Sequence, residues 1–248
     1  MGAVALRLQT TMNGDTPLRL RPGTPSRLPS SPSSPAAAEA AATDVTEPFG
    51  YAVTKRAFDL IVGAGVLLLL VPVIPMVALM IRADSQGPVF YRQDRVGKGG
   101  RLFKFYKFRS MRVDSDRLRA DLESRNELTG PVFKMKNDPR VTTVGQFLRR
   151  SSLDEIPQIF NVLKGDMSIV GPRPALPGEV ARYEAWHRRR LDVKPGITCL
   201  WQVAGRGQVG FDEWMRLDVE YMSRRSLRTD VAIFLKTIPA VIARRGAY

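Results

Sequence analysis

Residues Leu60–Ile81 read LIVGAGVLLLLVPVIPMVALMI, twenty-two positions without a charged side chain. As a straight helix rising about 1.5 Å per residue, this stretch would reach about 33 Å, enough for a hydrocarbon core of about 30 Å. Pro72 and Pro75 lie in its second half. Each lacks an N–H and crowds the preceding turn, so the pattern predicts a break. Basic side chains flank both ends: Lys55 and Arg56 before it, Arg82 and the Arg92–Lys107 region after. Basic flanks stay on the cytoplasmic side of a bilayer, which suits a helix–break–helix that enters one leaflet and returns. Proline is also tolerated in spanning helices, so on these features alone a kinked crossing fits equally well. Asp59 stands one turn after Lys55 and three residues after Arg56. It can pair with either near the membrane surface, or stand as an exposed acid at the start of a helix.

Upstream, residues 1–49 are rich in Pro, Ser and Ala, and no aromatic residue precedes Phe49. Such a segment cannot bury enough apolar surface to offset the entropy of ordering, so a disordered tail is expected. No continuous apolar run follows a basic start, which argues against a secretory signal. Downstream, Pro88–Gln93 and Arg101–Met111 have extended character and are joined through Gly97, Gly99 and Gly100; this predicts a β-hairpin. Alternation in the second strand puts Phe103, Phe105, Lys107, Arg109 and Met111 on one face. Helical patterns follow at 114–127, 155–163, 177–191, 211–223 and 230–245, without the rhythm of a parallel sheet. In the last, Val231, Phe234, Leu235, Ile238, Val241 and Ile242 recur at helical spacing. That stripe can lie in a membrane interface or face a core. The expected fold class is α+β and mainly helical, in three parts: tail 1–49, membrane segment 50–82, and a domain 83–248 lying on the membrane with amphipathic interfacial helices.

The formal net charge is +14, with a pI near 10.5. Four arginines and four acids cancel within residues 1–49, so the excess lies beyond Gly50 and calls for an anionic partner: nucleic acid, acidic lipid or phosphorylated small molecules. One cysteine, Cys199, excludes a disulfide framework, and one histidine, His187, leaves no His pair for zinc. Any catalysis falls to carboxylates, Arg, Lys and a metal.

Ser151-Ser152-Leu153-Asp154-Glu155-Ile156-Pro157-Gln158 is the densest motif. Pro157 fits only the first turn of a helix, which puts the start near Asp154, with Gly165 as the stop. Asp154 and Glu155 then sit at the positive end of a helix dipole, which favours their ionised forms. Acids there are also ordinary capping residues, and Ser152 with Glu155 has capping-box spacing. In Gly171-Pro172-Arg173-Pro174, two prolines restrain Arg173, and a fixed guanidinium suits bidentate phosphate binding. Arg149, Arg150, Lys107 and Arg109 can complete an anion site beside the two acids. Gly205-Arg206-Gly207-Gln208-Val209-Gly210 is a literal G-x-G-x-x-G, with Asp230 where a ribose-binding acid would stand. The 38 residues after Gly210 cannot complete a dinucleotide-binding sheet, so it reads as a loop that brings Arg206 near substrate.

Together, Lys55-Arg56-x-x-Asp59, Lys107-Phe108-Arg109-Ser110-Met111, the Leu153–Pro174 block and Lys194-Pro195-Gly196-Ile197-Thr198 resemble the bacterial sugar transferases, the monotopic polyprenyl-phosphate phosphoglycosyl transferases. The match runs from about Lys55 to Tyr248. The resemblance implies a re-entrant membrane helix, and Asp154 attacking the sugar-linked phosphate of a UDP-sugar. UMP leaves an aspartyl phosphosugar that polyprenyl (undecaprenyl) phosphate then attacks. Glu155 would assist with Mg²⁺ or with proton transfer, the ion held by Asp154 and Glu155. Lys107 and Arg173 would hold phosphates, with Arg109 a weaker candidate. The implied location is the cytoplasmic face of the bacterial inner membrane, among its lipids; no nucleic-acid partner is implied, and a homo-oligomer is compatible. Val71-Pro72 stands where many members have Ser-Pro, and Cys199 where Gly is frequent. Thr129-Gly130-Pro131-Val132-Phe133-Lys134 resembles the hexose-1-phosphate subset. The rival reading is a membrane-anchored basic protein that binds nucleic acid or anionic lipid without catalysis.

Overall fold

The computed structural model describes residues 49–127, 130–205 and 210–242. The expected tail lies almost wholly outside them, as do Thr129 and Arg206. Helix α1 (Phe49–Leu70) and helix α2 (Val73–Asp84) meet at Val71-Pro72 with a bend of 60°. Pro72 is the N-cap of α2 and Pro75 its third residue, positions where a missing N–H removes no helical bond. Both prolines therefore serve the start of α2, and the chain breaks just before it rather than twice. Among the described residues no single helix is long and apolar enough to cross a membrane, whereas the bent pair passes that test together. At the elbow Leu68 is 78% and Leu69 75% exposed.

The other faces of this pair are tied to the domain. Val77 and Ile81 are buried with Phe108 and Leu148, each worth about 2 kcal/mol of apolar burial. Gly63 lets α1 lie against Leu163, where a Cβ would come within 3.3 Å. Arg56 donates to the carbonyls of Val162 and Leu163 at 2.7 Å each, satisfying the end of helix α5 (Gln158–Lys164). Asp59 is buried: it accepts from Ser168 Oγ at 2.8 Å and Ile169 N at 3.0 Å. Lys55 stands 3.7 Å from Asp59 but 2.9 Å from the buried Asp230, which also accepts from Tyr51 and Tyr221. The Lys55–Asp59 pairing therefore lies inside a junction between α1 and the domain, and Arg56 takes no part in it. An exposed Asp59 is excluded.

Strands β1 (Phe90–Val96) and β2 (Leu102–Phe108) form the expected antiparallel hairpin, with Tyr91 opposite Lys107. Helix α3 (Ser115–Leu122) and helix α4 (Thr143–Arg150) follow. The helix expected from Asp154 is two pieces: a 3₁₀ turn, Leu153–Glu155, and α5, which starts after Pro157. Ser152 adopts a left-handed conformation (φ 56°) and makes no capping bond to the turn, so the capping-box reading fails. Gly165 ends α5 with φ 96°, as expected.

Strands β3 (Ser168–Val170) and β4 (Gly196–Thr198) form a short parallel pair that hydropathy patterning did not reveal. The region 177–191 is broken into helix α6 (Pro177–Ala181), helix α7 (Ala185–Arg188) and a 3₁₀ turn. Helix α8 (Leu200–Gly205), helix α9 (Phe211–Ser223) and helix α10 (Leu227–Ile242) complete the described chain. On α10 the inward residues are Asp230 and Ile233, while Leu235 and Ile238 are exposed. The apolar stripe read from spacing is thus divided between domain and surface.

Candidate active site

Asn161 fixes the carboxylates relative to the hairpin. Fully buried on α5, it donates from Nδ2 to Lys104 O at 2.7 Å and accepts the Tyr106 N–H at 3.2 Å. This satisfies backbone groups of β2 and holds Lys107 over the 3₁₀ turn. Lys107 Nζ lies 3.0 Å from Glu155 Oε1 and 3.5 Å from Asp154 Oδ2. Arg173 Nη1 approaches the same Glu155 oxygen at 3.7 Å. Arg149 donates through Nε to Ser110 Oγ at 3.0 Å. Lys107, Arg149, Asp154, Glu155 and Arg173 all line one cavity of about 490 Å³.

Asp154 is 5% exposed. Burial pushes its carboxyl above the usual carboxylate range; Lys107 pulls it back, the Glu155 charge pushes it further up, and Arg149 opposes. The dipole argument from sequence therefore loses to desolvation. A buried carboxylate held by cations is poorly solvated and can act as a nucleophile towards phosphorus once ionised. Its partners supply the positive charge that an approaching diphosphate requires.

Arg173 is placed by more than its two prolines. The buried Arg190 donates to Arg173 O at 2.7 Å and to Tyr183 Oη at 2.7 Å, and lies 2.7 Å from Asp218 Oδ2. Burial pushes the Asp218 carboxyl up to about 6. Arg95 donates to Pro174 O at 3.0 Å; burial, then the nearby Arg173 charge, lower its guanidinium to about 10. Arg109, in contrast, spends its fork on the carbonyls of Gln86 at 2.7 Å and Ser85 at 2.6 Å. It braces the end of α2 against β2. Arg190 and Asp218 escaped sequence reasoning, as did the buried junction role of Asp230. Arg190 stands in the run Arg188–Arg190, which reads as a solvated face, although Tyr183 two helical turns earlier is a usable signal.

Among the described residues no three His, Cys, Asp or Glu side chains converge as a metal cage. Two adjacent carboxylates facing a cavity do fit Mg²⁺, which takes one or two carboxylates and completes its shell with phosphate and water.

The site thus has the parts of a phosphate-handling centre: two acids and convergent cations around one cavity. Residues 50–244 match the bacterial sugar transferase family, and the chain belongs to it. It is 45% identical over 201 residues to the galactosyl transferase CpsE of Streptococcus agalactiae serotype III (strain NEM316), covering 80% of this chain and 44% of that protein. It is 41% identical over 208 residues to the UDP-glucose:undecaprenyl-phosphate glucose-1-phosphate transferase of Xanthomonas campestris pv. campestris, covering 80% and 40%. Against the exopolysaccharide production protein ExoY of Sinorhizobium fredii (strain NBRC 101917 / NGR234), identity is 38% over 210 residues, covering 83% and 92%. The chain spans less than half the length of the first two relatives and nearly all of the third.

Proposed function

We propose that this protein transfers a sugar-1-phosphate from a UDP-sugar to polyprenyl (undecaprenyl) phosphate, the first membrane step of an exopolysaccharide or glycoconjugate pathway. The observation that carries this reading is the buried Asp154 beside the half-buried Glu155, the two bridged by Lys107 and approached by Arg173. An Asp154 oxygen attacks the sugar-linked phosphorus, and the bond to the UMP oxygen breaks with its electron pair leaving on UMP. An oxygen of polyprenyl phosphate then attacks the same phosphorus and frees the Asp154 carboxylate. Lys107 holds both acids and Arg173 meets the phosphates, while Glu155 assists beside the nucleophile. Asp154 and Glu155 would hold Mg²⁺, which supplies charge neutralisation at the phosphates. A basic protein that only binds nucleic acid or lipid would leave this pair of acids without a role. The test is UMP release by purified protein across a panel of UDP-sugars. Release dependent on one UDP-hexose supports the proposal, and salt-sensitive DNA binding without any UMP release contradicts it.

Lys107 provides a prediction with a definite sign. It is the strongest influence lowering the Asp154 pKa, so Lys107→Met raises that pKa further and leaves less ionised nucleophile at low pH. The acid limb of the kcat/KM profile moves to higher pH, and activity falls more at pH 6 than at pH 8. A uniform loss at all pH values would remove Lys107 from this role.

We further propose that α1 and α2 enter the cytoplasmic leaflet of the bacterial inner membrane and return, the α1 junction holding the domain against the surface. In protein with Cys199 replaced, single cysteines at the exposed positions Gly50 and Asp114 will both react from the cytoplasmic side. A cysteine at Leu69 will react only after detergent is added. Labelling at Gly50 from the opposite side contradicts the re-entrant path.

A further inference from the structure

The cavity has more wall than the phosphate chemistry uses. Helices α8 and α9 contribute Trp201, Gln202 and Trp214 to its lining. The two indole rings lie with centroids 4.6 Å apart at 46°, forming an aromatic corner. Arg190 joins this corner to the phosphate loop, since its Cζ sits 5.5 Å from the Trp214 ring while its Nη2 holds Arg173 O.

Three polar atoms of this wall have no hydrogen-bond partner, Trp214 Nε1 among them. Gln202 is 7% exposed, and its Oε1 has no hydrogen-bond partner; Trp201 Nε1 is likewise buried with none. Buried polar atoms without partners are costly and call for an explanation. Here one donor and one acceptor stand on adjacent residues in the wall of a substrate cavity. A phosphate could take the indole proton but would be repelled by the amide oxygen. A hydroxyl both donates and accepts, and the C–H face of a sugar ring can lie on indole, which presents an apolar body beside a polar tip. Glu179, on the same lining, spends Oε2 on the Leu176 N–H at 2.8 Å, and its negative charge disfavours an anion there. Elsewhere in the cavity Phe133 lies under the guanidinium carbons of Arg140 and Arg119, at 5.0 and 5.7 Å. That cationic and aromatic surface suits the nucleotide.

We propose that Trp201, Gln202 and Trp214 form the subsite for the hexosyl group, with Trp201 Nε1 and Gln202 Oε1 reading its hydroxyls. This rests on the functional reading above and adds to it which part of the donor meets which wall.

The test measures binding of UDP, UDP-glucose and UDP-galactose to the full chain carrying Asp154→Asn, so that no transfer occurs. Trp201→Phe removes the donor and keeps the ring; Gln202→Met removes the acceptor and nearly keeps the volume. For whichever hexose the parent prefers, each variant should raise Kd by about fivefold to tenfold, the loss of one hydrogen bond, with Kd for UDP unchanged. Equal weakening of UDP and UDP-hexose, or no weakening of either, overturns the subsite. A parent that binds no UDP overturns the functional reading, and this assignment with it.

Discussion

Asp154→Asn will lower turnover by about a thousandfold or more, because an amide is a poor nucleophile at phosphorus. The fold should not suffer. Asp154 is buried and its carboxyl is pushed up by desolvation, so at neutral pH its ionised form opposes folding, and a neutral side chain of equal size removes that opposition. The melting temperature of the variant should equal or exceed that of the parent, while Lys107 keeps Glu155 at 3.0 Å. Glu155→Gln, in an assisting role, should be severely slowed yet retain slow reaction with the UDP-sugar. An Asp154→Asn protein that still releases UMP at a tenth of the parental rate would show that another group attacks.

Gly196→Ala will be among the most destabilising single-methyl changes in the domain. A Cβ at Gly196 would meet the backbone nitrogen, oxygen and Cα of Gly171 far inside contact distance, and backbone cannot rotate aside as a side chain can. Gly171 N donates to Thr198 O at 3.0 Å, and Gly196 N donates to Pro172 O at 2.8 Å. The crossing is therefore what aims Gly171-Pro172-Arg173-Pro174 at the acids. Overpacking of this kind costs about 3 kcal/mol, a drop of about 6–12 °C in melting temperature for a chain of this size. Activity should fall with it as Arg173 is displaced. Gly178→Ala is the control: nothing lies within 4 Å of a Cβ there, so stability should stay within about 0.5 kcal/mol. Equal melting temperatures for the two variants would show that the crossing tolerates a methyl.

Local chemistry made much of this legible in the sequence. The apolar run with two prolines announces the bent pair, glycines at 97, 99 and 100 announce the hairpin, and Pro157 and Gly165 bracket α5 to within a turn. Less was legible where tertiary packing decides. Helix α4 is short and mostly polar, with Thr142 as its cap. The parallel pair β3–β4 has only three residues per strand, too few for alternation to register. Lys55 and Asp59 are one turn apart in sequence, but their buried partner Asp230 comes from the far end of the chain. Arg109 lines the same cavity as Lys107, as its spacing suggested, but its bonds to the carbonyls of Ser85 and Gln86 depend on where α2 ends and were not legible. The dyad was readable as a pair of acids at a helix start. The burial of Asp154, which pushes its carboxyl up, was not.

The most direct measurement is mass analysis of the protein after incubation with its UDP-hexose alone, without polyprenyl phosphate. A two-step path through Asp154 predicts release of UMP and one phosphosugar per chain, mapped by peptide analysis to Asp154 and removed when polyprenyl phosphate is added. UMP appearing only when both substrates are present, with no adduct on any peptide, would contradict it and assign the attack to the lipid phosphate directly.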